Sequence, residues 1–279
     1  MAAIKTILVA TDLKKRSAAA PERAAALARA LGAKVVLAHA IPERNGTVAR
    51  FRLRRNPSDR SKIEAAFAQI RQQYSDVAID QVIASGSVED IISRTAHDIS
   101  ADLVVLGLHK VRAVLDTLRL TTMERITLAV TCPVLIAHTA GALPYRRVLG
   151  AITFAPASAQ ALATAGRLAP DAEFNAIHAL QLSLKDKLPN FDAEESAAMT
   201  QTMLLREAFM RMDGLPTKLN MPEIVPGGVH EVLQFRINEL QPDLIVIGSD
   251  SGKKADSLGN YARDLMRAPP ADLLIAKPC

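Results

Sequence analysis

The sequence is poor in aromatic residues and in cysteine. Only 4% of its 279 residues are aromatic and none is tryptophan, whereas 49% are hydrophobic. An aliphatic, alanine-rich composition of this kind is typical of parallel sheets covered by helices. The two cysteines, Cys132 and Cys279, cannot build a disulfide framework, and no Cys/His spacing indicates zinc. We therefore expect no metal and a location in the reducing cytoplasm.

A strong net charge and a membrane-spanning run are also missing. Lys and Arg number 34 against 29 Asp and Glu, a formal charge of +5, which admits an anionic ligand but makes nucleic acid an unlikely partner. The first apolar run reaches Asp12 too soon for a signal peptide. Residues 126–145 carry no charge, but Pro133, Gly141 and Pro144 interrupt them. We predict a helix end, a buried strand and a linker there, with no membrane contact.

The chain contains the same pattern twice, about 140 residues apart. The segment 102–107, Asp-Leu-Val-Val-Leu-Gly, returns as Asp-Leu-Ile-Val-Ile-Gly at 243–248, an offset of 141. A period of that length is the size of a whole domain. We therefore predict two similar domains, a first copy at 1–140 and a second copy at 145–279.

Short apolar runs alternate with helical patterns in each copy. In the first copy the alternation runs from 6–11 to 134–137 and predicts parallel strands with right-handed crossovers, hence an open α/β sheet. Ligands bind such sheets beyond the carboxyl ends of the strands, where strand order reverses. The residues at those ends are Asp12, Ala40, Leu106 and Gly107, and in the second copy Thr153, Ala179, Ile247 and Gly248.

Several segments of the first copy form a recognisable set. They are the strand ending at Asp12, the strand ending at His39, the segment 102–107, Glu124-Arg125-Ile126 and the segment 132–136. As a set they resemble the universal stress protein family, and the duplication resembles its tandem members. The resemblance covers nearly the whole chain. It implies two adenine-nucleotide alpha hydrolase-like domains, a cytoplasmic stress-response role, and ATP binding in one branch of the family but not in another.

The resemblance also implies that the two domains pack as a pseudo-dimer. Family members often dimerise through their final strand, which corresponds here to Val134–Ala137 and to 273–276. Both strands are short and apolar, and each would leave an exposed edge in an isolated domain. Domains that stand apart with these strands facing solvent would contradict this expectation.

A glycine motif marks the ATP-binding branch of the family: glycine, two residues, glycine, nine residues, then glycine with Ser or Thr. Glycines let backbone amides approach phosphates, and the following helix adds the positive end of its dipole. In the first copy Gly107 and Thr121 match, but Lys110 and Leu120 stand where the other glycines are expected. We predict that the first copy does not bind ATP in the family manner, and keep Asp12, Gly107 and Thr121 as its candidate ligand contacts.

The second copy retains more of the glycines of this motif. Its candidate phosphate-binding residues are Gly248, Gly252, Gly259 and Asn260. Lys253 and Lys254 add positive charge, but the segment is two residues shorter than the family spacing, and Thr153 replaces the aspartate seen at Asp12. We therefore predict a weak adenine-nucleotide site here, with poor selectivity for the base.

Each candidate also has a structural interpretation. Thr121 and Glu124 have the spacing of a capping box, and Asn260 is a good N-cap residue. Asp12 would cap its own turn or pair with Lys14 or Lys15. The repeated histidines, His39 and His178, are interpreted as hydrogen-bonded core residues with no metal.

The basic segment 50–55 places Arg50, Arg52 and Arg54 on one face if it is extended, where they would suit an anionic partner or ligand. We favour the alternative interpretation of a solvated loop. No Ser-His-Asp order, carboxylate pair or P-loop stands out, so nothing supports dedicated hydrolysis. The leading hypothesis is a protein that acts by binding and interaction, with ATP as candidate ligand and a homodimer as one form of assembly. The alternatives are slow ATP hydrolysis in the second copy and carriage of another anionic or apolar metabolite.

Overall fold

The chain divides into two units, Ala2–Leu143 and Pro144–Cys279, in a computed structural model. The structure describes residues 3–14, 17–41, 57–108, 120–138, 144–181, 197–249 and 258–277. Within these ranges, no helix combines the length and the apolar character needed to cross a membrane. The uncharged stretch 126–145 contains the end of one helix and a buried four-residue strand, as predicted.

The first unit is a parallel sheet whose strands alternate with helices. Its described elements are β1 (Thr6–Ala10), α1 (Ala19–Leu31), β2 (Lys34–Ile41), α2 (Pro57–Gln73), β3 (Ile79–Ser85), α3 (Val88–Asp98), β4 (Leu103–Gly107), α4 (Thr122–Ala129) and β5 (Val134–Ala137). The strand order is β3-β2-β1-β4-β5, with every neighbouring pair parallel. The order reverses between β1 and β4, which is where such sheets open a crevice.

The second unit repeats this arrangement. Its described elements are β6 (Arg147–Ala151), α5 (Pro156–Leu168), β7 (Glu173–Leu180), α6 (Ala197–Met210), β8 (Glu223–Pro226), α7 (Val229–Leu240), β9 (Leu244–Gly248), α8 (Asn260–Arg267) and β10 (Asp272–Ala276). The order β8-β7-β6-β9-β10 matches that of the first unit, again with parallel neighbours. The predicted fold class, two similar open parallel α/β sheets in tandem, is confirmed.

The central strands are buried on both faces. Ile7, Leu8, Val104 and Val105 in β1 and β4 have no exposed surface. Continuous aliphatic runs are what a parallel sheet covered by helices on both sides requires, because no side of the strand meets water. The low aromatic content follows from the same constraint, since compact aliphatic side chains fill both layers.

The repeated aspartate before the fourth strand of each unit anchors the start of the first strand. Asp102 Oδ2 accepts hydrogen bonds from the amides of Lys5 and Thr6, at 2.8 and 2.9 Å. In the second unit, Asp243 accepts the amides of Arg146 and Arg147 at 2.9 and 3.1 Å. This part of the repeat is therefore structural, because it satisfies strand-end amides that have no ladder partner.

The two aspartates differ in how they accept these bonds, which predicts a difference in stability. Asp102 uses one oxygen for both amides, whereas Asp243 uses one oxygen for each. Asparagine has a single acceptor oxygen, so Asp102→Asn can keep both hydrogen bonds, whereas Asp243→Asn loses one of them. We expect Asp243→Asn to lower the free energy of unfolding by about 1 kcal/mol more than Asp102→Asn does. Denaturant unfolding followed by circular dichroism measures this difference. Equal midpoints for the two variants would contradict it.

Candidate functional site

A cleft of about 470 Å³ opens beyond the carboxyl ends of β1, β2 and β4 in the first unit. Its apolar wall comes from α3, β4 and α4, namely Val88, Ile92, Leu106, Met123 and Ile126. Its polar lining comprises Thr11, Asp12, Lys14, Ser17, His39 and Thr122. Asp12, Ala40, Leu106 and Gly107, which the sequence placed at the strand ends, all line this cleft. The lining includes Thr122 and not the neighbouring Thr121.

Asp12 is held in a network of hydrogen bonds just after β1. Its Oδ1 accepts the Ser17 hydroxyl at 2.7 Å and the Lys14 amide at 3.1 Å, and the Lys14 ammonium lies 3.3 Å from Oδ2. Burial raises the pKa of Asp12, but these hydrogen bonds and the charge of Lys14 outweigh burial and lower the pKa to about 2. The cleft therefore contains a carboxylate that is ionised at neutral pH.

Gly107 is explained by packing. A Cβ at this position would lie 2.7 Å from Ser17 Cα, closer than real contacts allow. In the second unit a Cβ at Gly248 would lie 2.5 Å from the Ser158 amide nitrogen. In each unit the end of the fourth strand thus touches the backbone at the start of the first helix. The first glycine of the motif is required for this approach whether or not phosphate binds.

The N-terminus of α4 is capped by the protein's own side chains. Thr121 Oγ1 accepts the Glu124 amide at 3.2 Å, and the Glu124 carboxylate accepts the Thr121 amide in return. The capping box predicted from the sequence is present. Glu124 is fully buried, so a carboxylate already occupies the helix end where a phosphate would bind. Lys110 lies outside the described residues.

The repeated histidines serve the same structural purpose in both units. His39 Nδ1 is 2.8 Å from the Thr11 carbonyl oxygen, and His178 Nδ1 is 2.9 Å from that of Ile152. A carbonyl oxygen can only accept, so Nδ1 donates and, in the neutral ring, Nε2 is left as an acceptor. Each ring thereby joins the second strand to the turn that follows the first.

The second unit keeps the framework of the site but changes its chemistry. Thr153, the counterpart of Asp12, donates its amide to Ser158 Oγ at 3.1 Å, and the two hydroxyl oxygens are 3.3 Å apart. Ser158 therefore binds this turn as Ser17 does, but no carboxylate stands here. Gly252, Lys253 and Lys254 lie outside the described residues.

The start of α8 differs from the sequence interpretation by one residue. The N-cap is Gly259, with φ −62° and ψ 156°, and Asn260 is the first helical residue, so the expectation that Asn260 caps this helix is wrong. Thr121 has nearly the same backbone angles, φ −68° and ψ 162°, at the N-cap of α4. The two helices therefore begin after the same kind of extended N-cap residue, Thr121 in one unit and Gly259 in the other.

Near the start of α8 lies a cluster that sequence reasoning missed. It joins α8 to α7, as the Arg125–Glu89 ion pair (Nε to Oε1, 3.1 Å) joins α4 to α3 in the first unit. Asp264 Oδ2 lies 3.0 Å from His230 Nε2, and the ring of Tyr261 packs edge-on against His230 at 4.9 Å. Burial raises the pKa of Tyr261 to about 12. His230 and Asp264 are 34 residues apart in the chain, so no local sequence pattern marks this cluster.

A leucine and a phenylalanine adopt a left-handed backbone at equivalent turns. Leu13 has φ 58° and Phe154 has φ 59°, each in the residue after Asp12 or Thr153. Bulky residues rarely adopt this conformation, so the surrounding bonds must hold it. The Leu13 amide donates to Thr11 Oγ1 at 3.0 Å, and the Phe154 ring packs 4.9 Å from that of His178. No composition signal marks either position in the sequence.

Two further predictions from the sequence concern the basic segment 50–55 and the expected absence of a metal. The basic segment 50–55 lies outside the described residues. Among the residues that are described, no group of three or more His, Cys, Asp or Glu side chains could hold a metal ion.

The strand order and the switch-point cleft place the chain in the class of doubly wound α/β proteins. The model of the universal stress protein family matches residues 3–138. A universal stress protein from Archaeoglobus fulgidus DSM 4304 has a similar fold, with a TM-score of 0.74 and 16% identity over 99% of this chain and 97% of the other. A protein from Pseudomonas aeruginosa UCBPP-PA14 that is assigned to the same family has a TM-score of 0.69 and 18% identity. The match covers 99% of this chain and 94% of the other. No curated protein matches significantly in sequence.

The first unit, which the family model matches from residue 3 to residue 138, belongs to the universal stress protein family. The whole-chain similarity to the two solved structures, at these low identities, establishes the shared fold. Membership places the protein among stress-response proteins.

The close approach at the two glycines generates a stability prediction. We expect Gly107→Ser and Gly248→Ser each to lower the free energy of unfolding by about 1–3 kcal/mol, because the added Cβ overlaps helix backbone that cannot move alone. Gly228→Ser is the control, since Gly228 is an N-cap with φ −71° and the first unit has Ser87 at the equivalent position. Thermal unfolding compares the three variants. Two site variants as stable as the control would contradict the packing role.

Proposed function

We propose that this universal stress protein acts by binding a small molecule with an apolar body in the cleft of the first unit. The observation that carries the proposal is the cleft itself, about 470 Å³ with an aliphatic wall. A pocket of that size, mainly apolar with a few convergent polar groups, has the character of a ligand site. The proposal develops the sequence-based alternative of an apolar metabolite carrier.

The electrostatics of the first cleft support an unphosphorylated ligand. Phosphate groups bind where helix N-termini present unsatisfied amides. Here Glu124 and Thr121 satisfy each other's amides at the start of α4, and Ser87 Oγ accepts the Asp90 amide at the start of α3. The Asp12 carboxylate adds a negative charge beside the turn that follows β1. A phosphate would meet these two carboxylates, and the side-chain caps leave it fewer helix-start amides than an uncapped helix offers.

The polar groups of the cleft also favour binding over catalysis. The Ser17 hydroxyl is buried and donates to Asp12, while His39 is bound through Nδ1 to the Thr11 carbonyl. A nucleophile needs an adjacent base to remove its proton. The group beside Ser17 is Asp12, whose pKa of about 2 makes it a weak base, and the imidazole is held in a separate contact. Rigid, mutually satisfied groups of this kind suit recognition.

Filling the cleft tests the proposal. We expect the uncharged fluorescent probe N-phenyl-1-naphthylamine to bind the parent protein, and Ala40→Phe to weaken binding about tenfold or more by occupying the pocket. Ala84→Phe is the matched control, because Ala84 pairs with Ala40 in the neighbouring strand and is not among the cleft residues. Fluorescence titration gives both affinities. Equal losses in the two variants would place the binding elsewhere.

The second candidate function is weak adenine-nucleotide binding in the second unit, over Gly248, Gly252, Gly259 and Asn260. The observation in its favour is that the N-cap of α8 is a glycine, so no cap side chain competes for the amides of the first turn. The loss of the aspartate at Thr153 and the shortened segment reduce the expected affinity and the selectivity for the base.

Restoring a side-chain cap tests this second candidate. Gly259→Thr copies Thr121, and its backbone angles suit any residue. We expect the new hydroxyl to accept the Ala262 amide and to weaken ATP binding about tenfold, measured by calorimetry. If the variant bound ATP with unchanged affinity, the binding site would not be at the start of α8. Absence of ATP binding in the parent would remove the candidate, and steady release of phosphate would favour slow hydrolysis.

A further inference from the structure

The first cleft combines its apolar wall with one fixed anion. Ser17 and the Lys14 amide both donate to Asp12 Oδ1, which fixes the carboxylate in place before any ligand arrives. Its second oxygen, Oδ2, faces the Lys14 ammonium at 3.3 Å. The Lys14 side chain is 57% exposed, so this ion pair is a weak surface contact that a ligand cation can replace while Lys14 turns to solvent.

His39 supplies a second acceptor to the same cleft. Because Nδ1 donates to the Thr11 carbonyl oxygen, Nε2 of the neutral ring carries the lone pair. The cleft lining therefore offers a carboxylate oxygen and an imidazole nitrogen, both of which accept hydrogen bonds. An ammonium group has three donors and no acceptor, and so is complementary to this pair.

We propose that the ligand of the first cleft is an amine whose ammonium head binds Asp12 and His39 and whose apolar body lies against Ile92, Met123 and Ile126. This inference rests on the function proposed above and specifies the chemistry of its ligand. The capped helix ends and the aspartate disfavour an anionic head. A neutral head of the same size leaves the carboxylate without a charged partner from the ligand.

Three probes that share one phenyl body test the preference: 2-phenylethylamine, 2-phenylethanol and 3-phenylpropanoate. We expect the amine to bind the parent about tenfold more tightly than the alcohol, and the carboxylate to bind most weakly. Asp12→Asn lowers the affinity for the amine to that for the alcohol and leaves the alcohol unchanged. Asp80→Asn is the control, because it removes the same charge from the exposed β3 residue outside the cleft.

A second variant covers the case in which Asp12→Asn does not fold. Asp12→Thr copies Thr153, whose amide and hydroxyl already contact Ser158 of α5 in the second unit. Calorimetry or ligand-observed NMR gives the affinities. Equal binding of the amine and the alcohol by the parent would overturn the amine preference and leave the cleft proposal standing. If none of the three probes bound and Ala40→Phe also left naphthylamine binding unchanged, both proposals would fall together.

Discussion

The site depends on one close contact between backbones, where the end of β4 meets the start of α1 at Gly107. The missing side chain lets Ser17 approach the strand, and Ser17 in turn orients Asp12. The contact recurs between Gly248 and Ser158 in the second unit. The strand end, the turn after the first strand and the first helix therefore form one rigid corner in each unit, and the remaining residues of the cleft are arranged around that corner.

The two units agree where the sheet needs support and differ where a ligand would bind. The strand-anchoring aspartates, Asp102 and Asp243, make equivalent contacts, and so do the paired histidines. The position of Asp12, by contrast, holds Thr153 in the second unit. A duplicated fold keeps the contacts on which its stability depends, whereas the lining of each cleft is free to acquire its own chemistry.

Two carboxylates stand in or beside the first cleft. A buried carboxylate at the start of α4 and an ionised one at Asp12 stand where helix ends and turns would otherwise attract an anion. The protein itself supplies the negative charge that a phosphate brings in a nucleotide site. This physical difference supports a ligand class for the first cleft other than nucleotides, although the fold is one in which such ligands are often found.

Local patterns determined much of this structure from the sequence alone. Aliphatic runs mark the strands because both faces of each are buried, and the spacing of Thr121 and Glu124 marks a cap because its partners are only three residues apart. The start of α8 at Gly259, the clash that requires Gly107 and the meeting of Asp12, His39 and Met123 were decided by the tertiary structure. These features join residues distant in the chain, and packing and strand order, not nearby sequence, set their distances.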